Sequence, residues 1–203
     1  IYGYGQMEIV LLNTPPGYGQ QIWVDNIKYM LDNSGQEYDK IHVVDDVIYG
    51  GVYDKLSLFA RFQKGQYLYF DLDIIINGSI INLYTTEFTL LKAWWREAFH
   101  TPLNSSIMSW YGDHSYIHDK FAEDPDYYMI KYNKGIDEFI YKEIEYETYG
   151  KVCDSYAWGG GKLPITLYNH AKDKLWEHEC SLSEQAPNMD LNMNSTLIQK
   201  YQT

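Results

Sequence analysis

The feature that most constrains the fold of this chain is a regular alternation of short apolar runs with segments of helical periodicity. Three runs have the length and composition of strands: MEIVLL (7–12), YDKIHVVDD (38–46) and QYLYFDLDIII (66–76). Two segments between them have helical spacing: one carries Trp23, Ile27, Met30 and Leu31, and the other spans residues 53–62. This order predicts an α/β domain with a mainly parallel central sheet flanked by helices.

The later part of the chain continues this pattern less regularly. The predicted elements are strands at residues 103–110 and 165–170 and helices at residues 113–124 and 135–144. A further helix face is predicted from Phe88, Leu91, Trp95, Ala98 and Phe99. From about residue 179 the sequence loses periodicity and becomes polar. We therefore expect one domain over residues 1–178 and an extended polar tail over residues 179–203.

The composition is that of one soluble globular domain. Hydrophobic residues make up 45% of the 203 residues and charged residues 22%. No apolar run approaches the roughly 20 residues that a membrane-spanning helix needs. The first ten residues contain neither the basic nor the apolar segment of a secretory signal, and two cysteines are too few for a disulfide scaffold. We therefore expect a cytoplasmic protein with no membrane span.

The charge balance limits the partners that the protein can bind. A formal net charge of -12 opposes attraction to phosphate backbones, so nucleic acid is not an expected partner. A single nucleotide is compatible with an acidic protein when a divalent cation lies between carboxylates and phosphates. The acidity therefore excludes a nucleic-acid binding protein but leaves nucleotide chemistry open.

Two acids, Asp71 and Asp73, follow an apolar run at the point where a strand is expected to end. One residue separates them, so both side chains are expected on the same side of the strand. Mg²⁺ and Mn²⁺ prefer carboxylate oxygens and keep positions open for water and substrate phosphates. The pair therefore predicts a cation site, with solvated strand-end acids as the alternative.

The histidines suggest a second metal site only weakly. His114 and His118 stand four residues apart in a predicted helix, a spacing that zinc ligands use. Because no third ligand is evident near them, the favoured interpretation is a solvated helix face.

Four segments resemble the nucleotide-sugar glycosyltransferases of GT-A fold, especially the glycogenin-like and the bacterial or phage-encoded members. They are YDKLSLFARF, YLYFDLDIIINGSI, LNSSIM and NHAKDKLW, and they occur in the order found in that family. The resemblance spans residues 7–176. It implies a single GT-A-like, Rossmann-like domain that acts as a metal-dependent hexosyltransferase.

The resemblance implies a metal site and a donor site. Asp71 and Asp73 match the metal-binding acids, and His170 matches the third metal ligand. Lys174 matches a lysine that contacts the diphosphate leaving group. The implied cofactors are Mn²⁺ or Mg²⁺ and a nucleotide-sugar donor, with a UDP-sugar expected first. A glycan, a protein or another hydroxyl compound is implied as the acceptor.

Four further residues match positions around the donor and the acceptor. Asp46 resembles an acid near the donor base, and Lys55 a basic residue near the donor. Asn104 resembles a residue that lines the cleft between the donor sugar and the acceptor. Asp137 is the candidate for the polar group on the acceptor side.

Departures from the family pattern leave other functions open. Ala171, Asp173 and Leu175 replace a glycine and two prolines, and Ile136 and Asp137 stand where many relatives have Asp-Gln. One alternative is a non-catalytic module of the same fold that binds carbohydrate or protein. A second is a phosphatase of the haloacid dehalogenase type, whose nucleophilic acid resembles the first acid of FDLD.

Structural alternatives apply to the single residues as well. His170 could bond to the backbone at a strand end, and Asp46 could begin a turn. Lys55 and Lys174 could be surface lysines.

Overall fold

The computed structural model describes residues 7–96, 101–155, 162–168 and 172–182. Its strands are β1 (Met7–Leu12), β2 (Lys40–Val44), β3 (Gln66–Phe70), β4 (Ile74–Ile76), β5 (Thr89–Lys92), β6 (Leu103–Tyr111), β7 (Glu147–Thr148), β8 (Cys153–Ser155) and β9 (Ile165–Leu167). Its α-helices are α1 (Gln21–Asn33), α2 (Ser57–Arg61), α3 (Ser115–Ala122), α4 (Pro125–Lys131), α5 (Ile136–Glu143) and α6 (Lys172–Leu175). Short 3₁₀ helices span Gly51–Leu56 and Ile81–Leu83.

The central sheet has the strand order β2-β1-β3-β6-β5-β7 across the described residues. Strand β1 pairs in parallel with β2 and β3, and β5 pairs in parallel with β7. Strand β6 runs antiparallel to both of its neighbours, β3 and β5. The predicted α/β architecture with a mostly parallel central sheet is therefore confirmed. A second sheet has the order β4-β9-β8.

The first strand shows why the apolar runs carry no polar face. Ile9 and Leu11 pack in a cluster with helix α1, whereas Val10 and Leu12 pack on the other side with helix α2. All four side chains are at most 4% exposed. Because both faces of the sheet are covered at β1, successive residues of this strand are apolar on both sides.

Strand β6 extends beyond the end of its neighbour β3. The paired segment runs from Gln66 opposite Tyr111 to Phe70 opposite Ile107. Beyond it, the backbone amide of Asp71 donates to the carbonyl oxygen of Ser106 at 2.8 Å. Residues 103–106 of β6 therefore run beside the segment that follows β3.

The helix predicted from Phe88, Leu91 and Trp95 is wrong. Residues 89–92 form strand β5 instead, and the other two residues of that prediction, Ala98 and Phe99, lie outside the described residues. Leu90 and Leu91 are both buried, as expected for a strand covered on both faces. Helical spacing arose here because apolar residues fill consecutive positions of a short buried strand.

The run QYLYFDLDIII is also not one strand. It contributes β3 to the central sheet and β4 to the second sheet, and residues 71–73 separate the two. The acids thus lie at the junction between two sheets. That position explains why two acids interrupt an otherwise apolar run.

The beginning of the predicted tail packs against the domain. The amide of Leu182 donates to Oδ1 of Asn26 on helix α1 at 2.9 Å, and Cys180 and Leu182 contact the core on that side of the sheet. Residues 183–203 lie outside the described part of the chain. No helix among the described residues has the length and apolarity needed to cross a membrane.

Candidate active site

The candidate site lies at the edge of the central sheet where β1, β2 and β3 end. These strands are parallel, so the loops that follow them leave from the same edge. The amide of Asn13, just after β1, donates to the carbonyl oxygen of Val44 at the end of β2 at 2.8 Å. Asp71 and Asp73, called the acid pair below, follow β3 at this edge and are 9% and 6% exposed.

Asp71 is held by two side chains. The ammonium group of Lys55 donates to Oδ2 at 3.0 Å and lies 2.7 Å from Oδ1. The hydroxyl of Tyr69 donates to Oδ1 at 2.5 Å. Oδ1 therefore has two donors within hydrogen-bond distance, and Oδ2, which has one, keeps a lone-pair direction for another ligand.

Lys55 is buried and joins two strands of the site. Its ammonium group also lies 3.3 Å from the carbonyl oxygen and 3.3 Å from Oγ of Ser105 on β6. The preceding residue, Asp54, is fully buried and accepts hydrogen bonds from the amides of residues 48–50 through Oδ1. This carboxylate fixes the loop before the 3₁₀ helix and thereby the position of Lys55.

Asp73 lies between the central sheet and the second sheet. Its carbonyl oxygen accepts the amide of Tyr168, the residue after β9, at 3.3 Å. Its carboxylate forms a hydrogen bond with the hydroxyl of Tyr18, from the loop after β1. The acid pair is therefore contacted by segments from the beginning, the middle and the end of the chain.

Burial keeps the neighbouring tyrosine hydroxyls protonated. It raises the pKa of both Tyr69 and Tyr18 well above 10, and the charges of Asp71 and Asp73 raise it further. Both hydroxyls therefore remain hydrogen-bond donors throughout the physiological pH range. A protonated hydroxyl can donate to a carboxylate without adding negative charge to the site.

Asp137 lies in the first turn of helix α5, on the other side of Ser105. Its Oδ1 accepts the amide of Ser105 at 2.9 Å, and its Oδ2 accepts Nη1 of Arg96 at 2.8 Å. Next to Ser105, Oδ1 of Asn104 accepts the amide of Ser106 at 3.0 Å. The side chains of Asp137 and Asn104 are thus fixed by the same short stretch of β6.

These contacts form one continuous path of polar groups. It runs from Tyr69 through Asp71, Lys55, Ser105 and Asp137 to Arg96. The structure therefore brings together four residues predicted from the sequence: Lys55, Asp71, Asp137 and, beside them, Asn104. Tyr69, Ser105 and Arg96 were not predicted, since an isolated Tyr, Ser or Arg carries no spacing pattern that marks it as functional.

Asp46 and Lys174 both make ion pairs with nearby residues. Arg61 binds both carboxylate oxygens of Asp46, whose side chain is 55% exposed, and this contact lowers the pKa of Asp46. Lys174, on the short helix α6, pairs with Glu177 at 2.7 Å. Neither residue is buried like Lys55.

The predicted third metal ligand, His170, lies outside the described residues, as does Ala171. Among the residues that the structure does describe, no three acidic, histidine or cysteine side chains form a group able to hold a metal ion. The acid pair nevertheless has the donor chemistry of a site for Mg²⁺ or Mn²⁺, because it offers nearly buried carboxylate oxygens with lone pairs available.

His114 precedes helix α3 and His118 lies on it, and the two make different contacts. Nε2 of His118 lies 2.9 Å from the hydroxyl of Tyr49, and Nδ1 of the same ring faces Asp119. Nδ1 of His114 is buried, and burial lowers the pKa of this residue. His118 thus contacts two neighbouring side chains, whereas Nδ1 of His114 has no hydrogen-bond partner among the described residues.

Solved glycosyltransferases have the same architecture. A glycosyltransferase involved in glycosylation of the major capsid of PBCV-1 aligns with a TM-score of 0.59 and 10% identity, covering 85% of this chain and all of that one. The galactosyltransferase LgtC, in complex with donor and acceptor sugar analogs, aligns with a TM-score of 0.60 and 10% identity, covering 84% of this chain and 94% of that one.

The chain has the GT-A glycosyltransferase fold. GlyE of Streptococcus pneumoniae TIGR4 extends the likeness, with a TM-score of 0.61 and 11% identity over 96% of this chain and 65% of that one. At such identities the likeness defines a GT-A-like fold without defining the activity. No protein-family model and no curated protein sequence matches the chain.

Proposed function

We propose that this protein transfers a sugar from a nucleotide-sugar donor, with a UDP-sugar expected first, to a hydroxyl group of a glycan, protein or other acceptor. The observation that carries the proposal is the acid pair. It lies at the edge of a GT-A-like sheet where parallel strands end, which is the edge at which open α/β sheets bind ligands. Its carboxylates are nearly buried and held by donors from the protein.

Asp71 and Asp73 would hold Mn²⁺ or Mg²⁺ through carboxylate oxygens. When bound, the cation supplies positive charge against the diphosphate of the donor. Strand β9 supports His170 as a further ligand, because Tyr168 contacts Asp73 and stands two residues before His170 in the sequence. Lys174, on the helix that follows, would add positive charge to the leaving diphosphate.

The remaining predicted residues would orient the donor and the acceptor. Asp46 follows β2 at the same edge and would lie near the base, and Lys55 would contribute a fixed positive charge below the donor. Asn104 and Asp137 would face the sugar and the acceptor hydroxyl. Both oxygens of Asp137 already accept hydrogen bonds, so we assign it an orienting and electrostatic role rather than proton abstraction.

Of the alternatives, the haloacid dehalogenase type of phosphatase loses its basis, since the chain shares the GT-A fold of the glycosyltransferases above. A non-catalytic module with a GT-A-like fold would bind carbohydrate or protein without transferring a sugar, so it would have no need to bind a nucleotide-sugar donor. Measurement of donor binding therefore distinguishes the two functions.

Isothermal titration calorimetry with Mn²⁺ and a panel of UDP- and GDP-sugars tests the proposal. We expect one nucleotide-sugar class to bind only when Mn²⁺ is present, and Asp73→Asn to abolish that binding. Asp119→Asn is the matched control, because Asp119 is 71% exposed and lies on helix α3. Absence of binding to every donor would instead support the non-catalytic module, and phosphate release from p-nitrophenyl phosphate would support the phosphatase.

A further inference from the structure

Tyr69 is a polar residue in the middle of the core. It lies on β3 between the apolar residues Leu68 and Phe70, and it is 1% exposed. Burial of a hydroxyl costs free energy unless the group forms a hydrogen bond, and phenylalanine would fill the same space without that cost. The hydroxyl must therefore be explained by its partner, which is Oδ1 of Asp71 at 2.5 Å.

The Tyr69 hydroxyl and the Lys55 ammonium group contact the same carboxylate in different ways. Tyr69 donates to Oδ1, whereas Lys55 reaches both oxygens, at 2.7 Å from Oδ1 and 3.0 Å from Oδ2. The last torsion of an aspartate side chain has a broad energy minimum, so one donor leaves the carboxylate able to rotate. A hydroxyl on one oxygen and an ammonium group within reach of both oxygens together fix its plane.

We propose that Tyr69 is a positioning residue for the acid pair: with Lys55, it fixes the Asp71 carboxylate in one orientation before a divalent cation binds. The inference rests on the proposed function, because it requires that Asp71 is a cation ligand. The hydroxyl of this tyrosine then acts in the binding site, while its ring fills space in the core.

The expected effect is on the affinity for the cation. A carboxylate that is already held in place loses no rotational freedom when it binds a cation, and its remaining lone pairs point in a fixed direction. Removal of a hydrogen-bond partner of a metal ligand typically lowers metal affinity about 10- to 100-fold. Tyr69→Phe removes the hydroxyl and keeps the ring that fills the core.

The chain contains a matched control on the same strand. Tyr67 stands two residues earlier, so its side chain is on the same face of β3 as that of Tyr69, and it is 7% exposed. Its hydroxyl forms hydrogen bonds with the backbone of Lys64 and Gly65 instead of with the acid pair. Tyr67→Phe is thus the same chemical change on the same face of the same strand, away from the acids.

The experiment is a titration of the wild type and both variants with Mn²⁺ in the presence of UDP, in which electron paramagnetic resonance measures unbound Mn²⁺. Urea unfolding of the same samples compares their stability. We expect Tyr69→Phe to weaken Mn²⁺ binding at least about tenfold and Tyr67→Phe to change it less than about twofold. Equal weakening by both variants, or none by Tyr69→Phe, overturns the positioning role.

A wild type that binds no Mn²⁺ overturns the metal site of the proposed function and this inference together. When the wild type binds Mn²⁺ and Tyr69→Phe binds it equally well, only the role of Tyr69 is overturned. Crystal structures of the wild type and Tyr69→Phe without metal add a direct readout. The proposal expects the Asp71 carboxylate to rotate in the variant, and an unchanged orientation contradicts it.

Discussion

The ammonium group of Lys55 lies 2.7 Å from Oδ1 and 3.0 Å from Oδ2 of Asp71, and the two side chains are only 9% and 12% exposed. This ion pair joins the 3₁₀ helix before α2 to the end of β3. Burial of an ion pair costs the hydration of both charges, and the attraction between the charges offsets much of this cost. Removal of one partner leaves the other charge buried and unpaired, so it destabilises the fold far more than the net contribution of the pair suggests. A change at either residue is therefore expected to alter both cation binding and the stability of the fold.

Asp71→Asn is expected to lower stability as well as activity. The neutral amide leaves the Lys55 ammonium group buried without its charged partner, which costs about 3–5 kcal/mol for a buried pair. Urea unfolding followed by circular dichroism measures the loss. A variant as stable as the wild type contradicts the pairing shown here.

The double variant Lys55→Met with Asp71→Asn tests whether this loss comes from the pair. It removes both charges, so we expect it to be less destabilised than the sum of the two single changes by at least about 1 kcal/mol. Strictly additive losses would show that the two groups do not interact. The cycle also separates stability from binding, since the double variant should still bind no Mn²⁺.

Asp137→Asn is expected to destabilise the fold through a missing acceptor. The carboxylate accepts from the amide of Ser105 and from the guanidinium group of Arg96, whereas an amide side chain has one oxygen. One donor then loses its partner, at a cost of about 1–3 kcal/mol in unfolding free energy. Asp126→Asn, at an exposed position on helix α4, is the control and should change stability by less than about 0.5 kcal/mol.

Stability is expected to fall at alkaline pH. Burial raises the pKa of Tyr149 above 10 and that of the Cys153 thiol to about 12. Above pH 9 to 10 the unfolded chain releases these protons while the folded chain keeps them, so the unfolded state binds fewer protons. The unfolding free energy then decreases by up to about 1.4 kcal/mol per pH unit for each group.

Urea unfolding between pH 8 and pH 11 measures this slope. Tyr149→Phe should make the decline of the unfolding free energy above pH 10 shallower by the contribution of one proton, up to about 1.4 kcal/mol per pH unit. The variant also loses the hydrogen bond that the tyrosine hydroxyl donates to the carbonyl oxygen of Leu83. If the unfolding free energy of the variant declines with the same slope as that of the wild type, Tyr149 has the same pKa in the folded and the unfolded chain.

The contact of residues 180–182 with helix α1 predicts that the domain depends on them. Leu182→Ala removes apolar surface packed against the core and should lower the unfolding free energy by about 1 kcal/mol. Ile130→Ala is the control, because Ile130 is 81% exposed on α4 and its truncation should cost less than about 0.5 kcal/mol. Equal losses in the two variants would mean that Leu182 adds no packing.

The sequence predicts the first half of the fold well, because β1, α1 and β2 are long enough to show periodicity and are bounded by loop signals. Strand β5 was missed, since it has only four residues and the first three are all buried, which leaves no period of two. The division of residues 66–76 between two sheets was also missed. That division depends on pairing with β9, about 90 residues later in the chain, which no local pattern reports.

The candidate site could be proposed from the sequence where residue type and spacing carry chemistry, as for Asp71 and Asp73. It was not predictable where a role depends on a contact, as for Tyr69, which resembles any other tyrosine of a buried strand until its hydroxyl is found beside Asp71. Arg96 is recognisable only through Asp137, 41 residues away. Such partners come from the packing of distant segments rather than from local spacing.

A crystal structure of the protein soaked with Mn²⁺ and UDP is the sharpest test of whether the acid pair holds a cation against the donor diphosphate. We expect anomalous density for Mn²⁺ within about 2.0–2.4 Å of carboxylate oxygens of both Asp71 and Asp73, with the diphosphate of UDP on its open side. Nucleotide bound elsewhere, or acids that keep their present contacts with neither metal nor nucleotide beside them, would contradict it.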